Sequence, residues 1–86
     1  MTVYVDDAKN PYGRIKMSHM IADSLDELHR MATKIGIQLR HFQDKDIPHY
    51  DVCQSKKKLA MQLGAVEVSS QELVRIARKG KFREQG

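Results

Sequence analysis

The sequence reads ATKIGI at residues 32–37 and AMQLGA at residues 60–65, two similar segments that start 28 residues apart. In each segment the last residue of a helically spaced apolar series is followed by a glycine, and the glycine is followed by another apolar residue. A glycine just past a helix is typical of a left-handed C-terminal cap, so Gly36 and Gly64 are predicted to end two helices. A helix, a glycine stop and a strand are used twice, which is typical of βαβ units.

Three helix starts are predicted from a short polar residue that is followed three positions later by Glu or Gln. These pairs are Ser24 with Glu27, Asp51 with Gln54, and Ser69 with Glu72. Each side chain of such a pair can bond a backbone N–H of the first turn, which stabilises a helix by about 1 kcal/mol. The apolar spacing after each pair is helical, and Gly80 is predicted to end the third helix.

Four short segments are predicted to be strands because they are β-branched or alternating and are bounded by turn residues. They are residues 2–5, 17–21, 37–42 and 65–68. The sequence thus predicts an α/β fold in the order β-β-α-β-α-β-α, with three helices and a small, mainly parallel sheet of three to four strands. Residues 1–79 are predicted to form a single domain, followed by a basic, disordered tail at 80–86.

Charge and composition narrow the class of protein. The 86-residue chain has a net charge of +4, but residues 1–74 hold ten basic and ten acidic side chains, so the excess lies in the last twelve residues. A neutral body argues against an extended nucleic-acid surface. Cys53 is the single cysteine, which excludes a disulfide framework, and no apolar run is long enough for a membrane span. The acidic N-terminus does not resemble a signal peptide, so we expect a cytoplasmic protein, and its small size suits a homo-oligomer.

Polar side chains follow the predicted strands. They are Asp6 and Asp7 after the first strand, Gln43, His49, Tyr50 and Asp51 after the third, Ser69 and Ser70 after the fourth, and Ser55 and Lys56 early in the second helix. Ligands of open α/β sheets bind beyond the carboxyl ends of the strands, where helix N-termini also point. We therefore expect the functional site at this end of the sheet.

His49 is the candidate general acid or base. It stands at the end of a long loop, just before the helix start predicted at Asp51, and long βα loops tend to be functional. The alternative role is structural, with His49 and Tyr50 packing over the end of the helix.

Lys56 interrupts the apolar stripe of the second helix. Either its ammonium group binds an anion together with Ser55, or its stem covers apolar surface while the charge stays in water. Lys57 is expected on the solvent side of the same helix. Arg14 follows a predicted turn at Gly13 and would add a cation near the strand ends.

The histidines are His19, His29, His41 and His49, and no pair has the spacing of a known tight metal site. We therefore assign no metal ligand and no cofactor from the sequence. A site assembled from separate strand ends could still hold a hard or borderline ion, and its members would be Asp6, Asp7, His49 and Asp51.

Several of these elements together resemble a known family. They are Val-Tyr-Val-Asp-Asp at 3–7, Ser18-His19, Glu27-Leu28-His29, Phe42-Gln43, His49-Tyr50-Asp51-Val52, Ser55-Lys56 and Leu63-Gly64-Ala65-Val66. The chain resembles short phage and bacterial proteins grouped as a domain of unknown function, many of which begin MTVYVDD. The resemblance spans about residues 2–75 and implies a stand-alone cytoplasmic or phage-encoded protein, without implying an activity.

Two functions from different classes fit these residues. The first is an accessory protein that binds a phosphate-bearing ligand, a nucleotide or a nucleic-acid segment, through Asp6, Arg14, His19, Gln43, Tyr50, Ser55 and Lys56. The second is a small hydrolase of phosphodiesters or related bonds, metal-dependent or not, with His49, Asp51 and Asp7 as its catalytic residues. A third hypothesis is that the chain is a module that binds a host protein.

Overall fold

The computed structural model describes residues 2–79, and its strands and helices alternate as an α/β fold. The strands are β1 (Val3–Asp6), β2 (Asn10–Tyr12), β3 (Ile15–Ala22), β4 (Tyr50–Cys53) and β5 (Val66–Val68). The helices are α1 (Leu25–Lys34), α2 (Gln54–Gln62) and α3 (Ser70–Lys79), with one 3-10 turn at Leu39–His41. The three predicted helices and the α/β class are confirmed. The predicted tail at 80–86, including Gly80, lies outside the described residues.

The sheet is mixed, so the prediction of a mainly parallel sheet with three to four strands is wrong. It has five strands; β3 pairs antiparallel with β1, β2 and β4, and only β1 and β5 are parallel. The antiparallel arrangement begins with a hairpin, in which Gly13 and Arg14 join β2 to β3 and Gly13 takes a φ of +63°. Met17 pairs with both β2 and β4, and Met20 with both β1 and β4. Hence β1 and β2 share one edge of β3, and β4 occupies the other.

The predicted third strand at 37–42 is also wrong. This segment forms the 3-10 turn, while Ile37 and Phe42 pack against the core at its two ends. The strand lies instead at β4, where burial alternates along Tyr50–Cys53 as expected for a pleated strand. Because the chain is extended through β4, α2 begins only at Gln54 and no side chain caps it, which corrects the helix start predicted at Asp51.

The helix starts predicted at Ser24 and Ser69 and the helix ends predicted at Gly36 and Gly64 are confirmed. Ser24 Oγ accepts a hydrogen bond from the backbone N–H of Glu27, and Ser69 Oγ accepts one from that of Glu72. Gly36 follows the end of α1 with a φ of +85°, a left-handed conformation that favours glycine.

Helices cover the two faces of the sheet unequally. On one face α1 and α2 bury a core that includes Val5, Met20 and Val52, and Lys57 of α2 is buried there rather than exposed, 2.6 Å from Glu67. On the other face α3 packs on Ile21 and its neighbours in β1 and β5. The remainder of that second face, formed by the β2–β3 hairpin and β4, lines a cleft together with residues between 36 and 43 and Lys56 of α2, and we call it the open half of the sheet. Among residues 2–79, no helix is long and apolar enough to span a membrane.

Candidate functional site

The register of β3 with β4 brings two of the predicted site residues together. His19 pairs directly with Asp51, so their side chains stand on the same face of the sheet. His49 precedes β4 and forms an isolated bridge with Gln43, which turns its ring toward Asp51. The cluster lies where the part of the face covered by α3 gives way to the open half.

Asp6 fixes the orientation of His19. The Asp6 side chain is 1% exposed, its Oδ1 accepts the backbone N–H of His19 at 2.9 Å, and its Oδ2 lies 2.8 Å from His19 Nδ1. A carboxylate can only accept, so Nδ1 carries the proton and donates it to Asp6. In the neutral ring this leaves a lone pair on His19 Nε2, which faces Asp51 at 3.8 Å.

His49 is fixed in the same tautomer by a different group. Its Nδ1 lies 2.7 Å from the backbone carbonyl of Ile47, which can only accept, so Nδ1 is again the donor. The lone pair of His49 Nε2 therefore faces Asp51 Oδ1 at 3.4 Å. The two imidazole rings meet edge to face, with their centres 5.3 Å apart.

When both rings are neutral, three electron-pair donors thus converge. One ring nitrogen of each histidine and a carboxylate oxygen of Asp51 lie within 4.8 Å of one another, and both Nε2 atoms face Asp51 Oδ1. Ligands about 2.1 Å from a tetrahedral ion stand about 3.4 Å apart, close to the distances from Asp51 to the two rings. Two imidazoles and one carboxylate suit a divalent transition metal and leave coordination positions open for water or substrate. Asp51 itself is 42% exposed, so the site opens to solvent.

A cleft of about 540 Å³ borders the cluster on the side of Asp51. Its lining includes the cationic side chains of Lys56 and Arg40 and the amide of Gln43. The side chain of Lys56 extends to Gly36 at the end of α1. A Cβ atom built onto Gly36 would lie 3.0 Å from Lys56 Nζ. A smaller cleft of about 220 Å³, mainly apolar, borders the two histidines on the side of α3.

Cys53 lines the larger cleft two residues after Asp51, on the same face of β4. The Ser55 hydroxyl, 3.3 Å from Sγ, lowers the pKa of the thiol, and backbone N–H groups of the first turn of α2 act in the same direction. Ser55 is thereby engaged with Cys53 at the exposed start of α2.

The remaining predicted residues lie farther from the cluster. Asp7 Oδ1 accepts the backbone N–H of Ser70 at 3.2 Å, at the start of α3. Arg14 is exposed at the tip of the β2–β3 hairpin, away from Asp6 and Asp7. Tyr50 points to the opposite face of the sheet and is fully buried.

Tyr50 has a structural partner there. Its hydroxyl and His29 Nδ1 share a hydrogen bond of 2.8 Å, and its ring packs against Phe42. Burial raises the pKa of Tyr50, so the phenol stays protonated at neutral pH. These contacts place Tyr50 in the core and not in the site.

Tyr50→Phe is expected to lower the free energy of unfolding by about 1 kcal/mol, because one buried hydrogen bond is lost while the ring packing is kept. Urea denaturation measures this change. The variant should keep the wild-type arrangement of His19, His49 and Asp51, so the nuclear magnetic resonance signals of the two imidazole rings should be unchanged; shifted signals would contradict the core placement.

Sequence reasoning missed Arg40 and Tyr12 as residues of the cleft. Arg40 lies within the strand predicted at 37–42 and was therefore not predicted to line a site. In the structure it belongs to the 3-10 turn and lines the cleft. The alternation of His49-Tyr50-Asp51-Val52-Cys53 was the signal that could have placed His49, Asp51 and Cys53 on one side of a strand.

A family model described as "Protein of unknown function (DUF4031)" matches residues 3–80 of the chain. No curated protein and no solved structure matches the chain.

Proposed function

The chain belongs to the DUF4031 family of proteins of unknown function, and on the geometry of its site we propose that it is a metal-dependent hydrolase of phosphate esters. The convergence of His19 Nε2, His49 Nε2 and Asp51 Oδ1 carries the proposal. Each ring has its Nδ1 proton committed to another acceptor, so three lone pairs face one point. A divalent cation at that point would remove their mutual repulsion.

The hydrogen bond from His19 to Asp6 supports the same assignment. Histidines that bind metals almost always donate their other ring N–H to a carboxylate, a carbonyl or a water. His19 donates to a buried carboxylate and His49 donates to a carbonyl, so both rings have the partner that a ligand requires. In this proposal His49 acts as a ligand instead of a general acid or base.

Phosphate esters are the substrates that the surroundings favour. Lys56 and Arg40 give the cleft beside Asp51 two cationic side chains that suit the charge of a phosphate group. Gln43 adds an amide that can bond a phosphate oxygen. The proposal therefore takes up the second function expected from the sequence, a metal-dependent hydrolase, and keeps the phosphate-bearing ligand of the first.

The reaction is the hydrolysis of a P–O ester bond. A water oxygen attacks phosphorus and loses a proton to a solvent base. The ester P–O bond breaks, and the leaving oxygen keeps the electron pair and takes a proton from solvent. A divalent cation held by His19, His49 and Asp51 would supply Lewis acidity and lower the pKa of bound water. Lys56 and Arg40 would stabilise the negative charge on the phosphate oxygens.

The test measures metal binding and turnover on the full chain. After dialysis against EDTA the protein is titrated with Zn²⁺ and with Mn²⁺, and bound metal is measured by plasma mass spectrometry. We expect one ion per chain and metal-dependent hydrolysis of bis(p-nitrophenyl) phosphate or of p-nitrophenyl phosphate. His41→Ala is the matched control, because His41 is exposed and stands outside the cluster, so this variant should bind one ion. Absence of stoichiometric metal, or turnover that EDTA does not change, would overturn the proposal.

A further inference from the structure

We propose that the open half of the sheet binds the base of a nucleotide whose phosphate lies at the cluster, so that the substrates are nucleoside phosphate esters. This inference rests on the proposed function and specifies its substrate. It follows from the side chains that line the cleft between the cluster and the tip of the β2–β3 hairpin.

Strand register determines which side chains form the floor of this cleft. Side chains two residues apart in a strand share a face, so Met17 and Ile15 follow His19 along β3 on the same side. Met17 pairs with Cys53 and Ile15 pairs with Tyr12, which extends this face across three strands. The floor is therefore polar at Asp51, the member of the cluster that lines the cleft, and apolar from Met17 to the hairpin.

Tyr12 is the side chain that points to a planar ligand. It is 73% exposed and lines the cleft together with Ile15, which is 47% exposed. An exposed aromatic ring beside apolar neighbours is a surface on which bases stack. Ile37 lines the same cleft, so the base would have apolar contacts besides Tyr12.

The dimensions agree with a ligand that has one charged and one planar end. His19 lies four positions after Ile15 in β3, a span of about 13 Å. If the phosphate of a nucleotide lies at the cluster, the sugar attached to it would lie over Met17. The base at the other end of the nucleotide would then lie at Tyr12. Two cationic residues, Lys56 and Arg40, line the same cleft as Asp51 and Tyr12. The cleft volume of about 540 Å³ lies within the range of small-molecule sites.

The test compares two ligands that share a sugar phosphate and differ in the base. Zinc-loaded protein is titrated calorimetrically with adenosine 5′-monophosphate and with ribose 5-phosphate at a pH and temperature where turnover is negligible. We expect the nucleotide to bind about tenfold more tightly, since base stacking on an aromatic side chain has an effect of this size. Tyr12→Ala should reduce nucleotide affinity to that of ribose 5-phosphate, and Tyr12→Phe should retain the preference.

Leu39→Ala is the matched control, because Leu39 is 56% exposed but does not line the cleft. It should leave both affinities unchanged. Equal affinities in the wild type would mean that a sugar phosphate suffices and would overturn the nucleotide assignment, as would full preference in Tyr12→Ala. The metal content and the hydrolysis of p-nitrophenyl phosphate separate the two proposals. If the wild type binds metal and hydrolyses p-nitrophenyl phosphate but shows no preference for the nucleotide, only the nucleotide inference fails. If the wild type binds no metal, the hydrolase proposal and the nucleotide inference both fail.

Discussion

His49→Ala is expected to weaken the affinity of the protein for Zn²⁺ by at least about 100-fold and to reduce metal-dependent phosphoester hydrolysis to background. The variant loses one of three ligands, and His19 Nε2 and Asp51 Oδ1, 3.8 Å apart, would hold the ion alone. Two protein ligands bind a zinc ion much less tightly than three or four. Competition with a chromophoric chelator measures the affinity, and hydrolysis of bis(p-nitrophenyl) phosphate measures the activity.

The fold should tolerate this change, because His49 lies outside the strands and its ring is partly exposed. Far-ultraviolet circular dichroism of the metal-free variant checks that point. His41→Ala, which removes a histidine from the adjoining 3-10 turn, serves as the comparison and should keep the wild-type affinity for Zn²⁺. Wild-type affinity in His49→Ala would place the ion elsewhere and contradict the assigned ligand set.

Asp6→Asn is expected to have the next largest effect, a loss of about 10- to 100-fold in metal affinity without a loss of the fold. Oδ1 of Asp6 accepts the backbone N–H groups of both Ala8 and His19, so the amide oxygen of asparagine would take this position. The amide nitrogen would then replace Oδ2 and donate to His19 Nδ1. The proton of His19 would move to Nε2, where it blocks the lone pair that faces Asp51.

The nitrogen-15 chemical shifts of the His19 imidazole distinguish this positioning role from a merely structural one. In the wild type Nδ1 should give the shift of a protonated nitrogen, and in Asp6→Asn the two ring nitrogens should exchange roles. Asp7→Asn is the matched control, since Asp7 is exposed and bonds only the start of α3 among the described residues. An unchanged tautomer together with unchanged metal affinity in Asp6→Asn would refute the argument.

The helices could be predicted because their signals are local. Ser24 and Ser69 cap their helices through side-chain oxygens within three residues, and Gly36 adopts the left-handed φ that its position after α1 requires. Strand pairing depends on contacts between distant segments. Repetition of helix, glycine and strand suggested parallel pairing, but the connection from α1 to β4 spans residues 35–49 and returns β4 antiparallel to β3.

Part of the site could also be predicted from the sequence. Polar residues after strands pointed to Asp6, His49 and Asp51, which the structure brings together with His19. The roles of His19 and His49 could not be predicted, because they depend on which acceptor forms a hydrogen bond with the Nδ1 atom of each ring in the folded protein. The sequence predicts a helix start at Asp51 and places Tyr50 in the site just before it. In the strand β4, Tyr50 instead points to the face opposite Asp51, because side chains alternate along a strand.

The opposition of His19 and Asp51 across β3 and β4 has a further consequence for the unfolded chain. The two residues are 32 positions apart in sequence, so an ion held by both closes a loop of that length. For a covalent cross-link, the chain-entropy model assigns about 3 to 5 kcal/mol to such a closure. A metal ion differs from such a cross-link, because it would bind only the folded arrangement of His19 and Asp51. The concentration of free metal would then set how far binding shifts the equilibrium toward the folded protein.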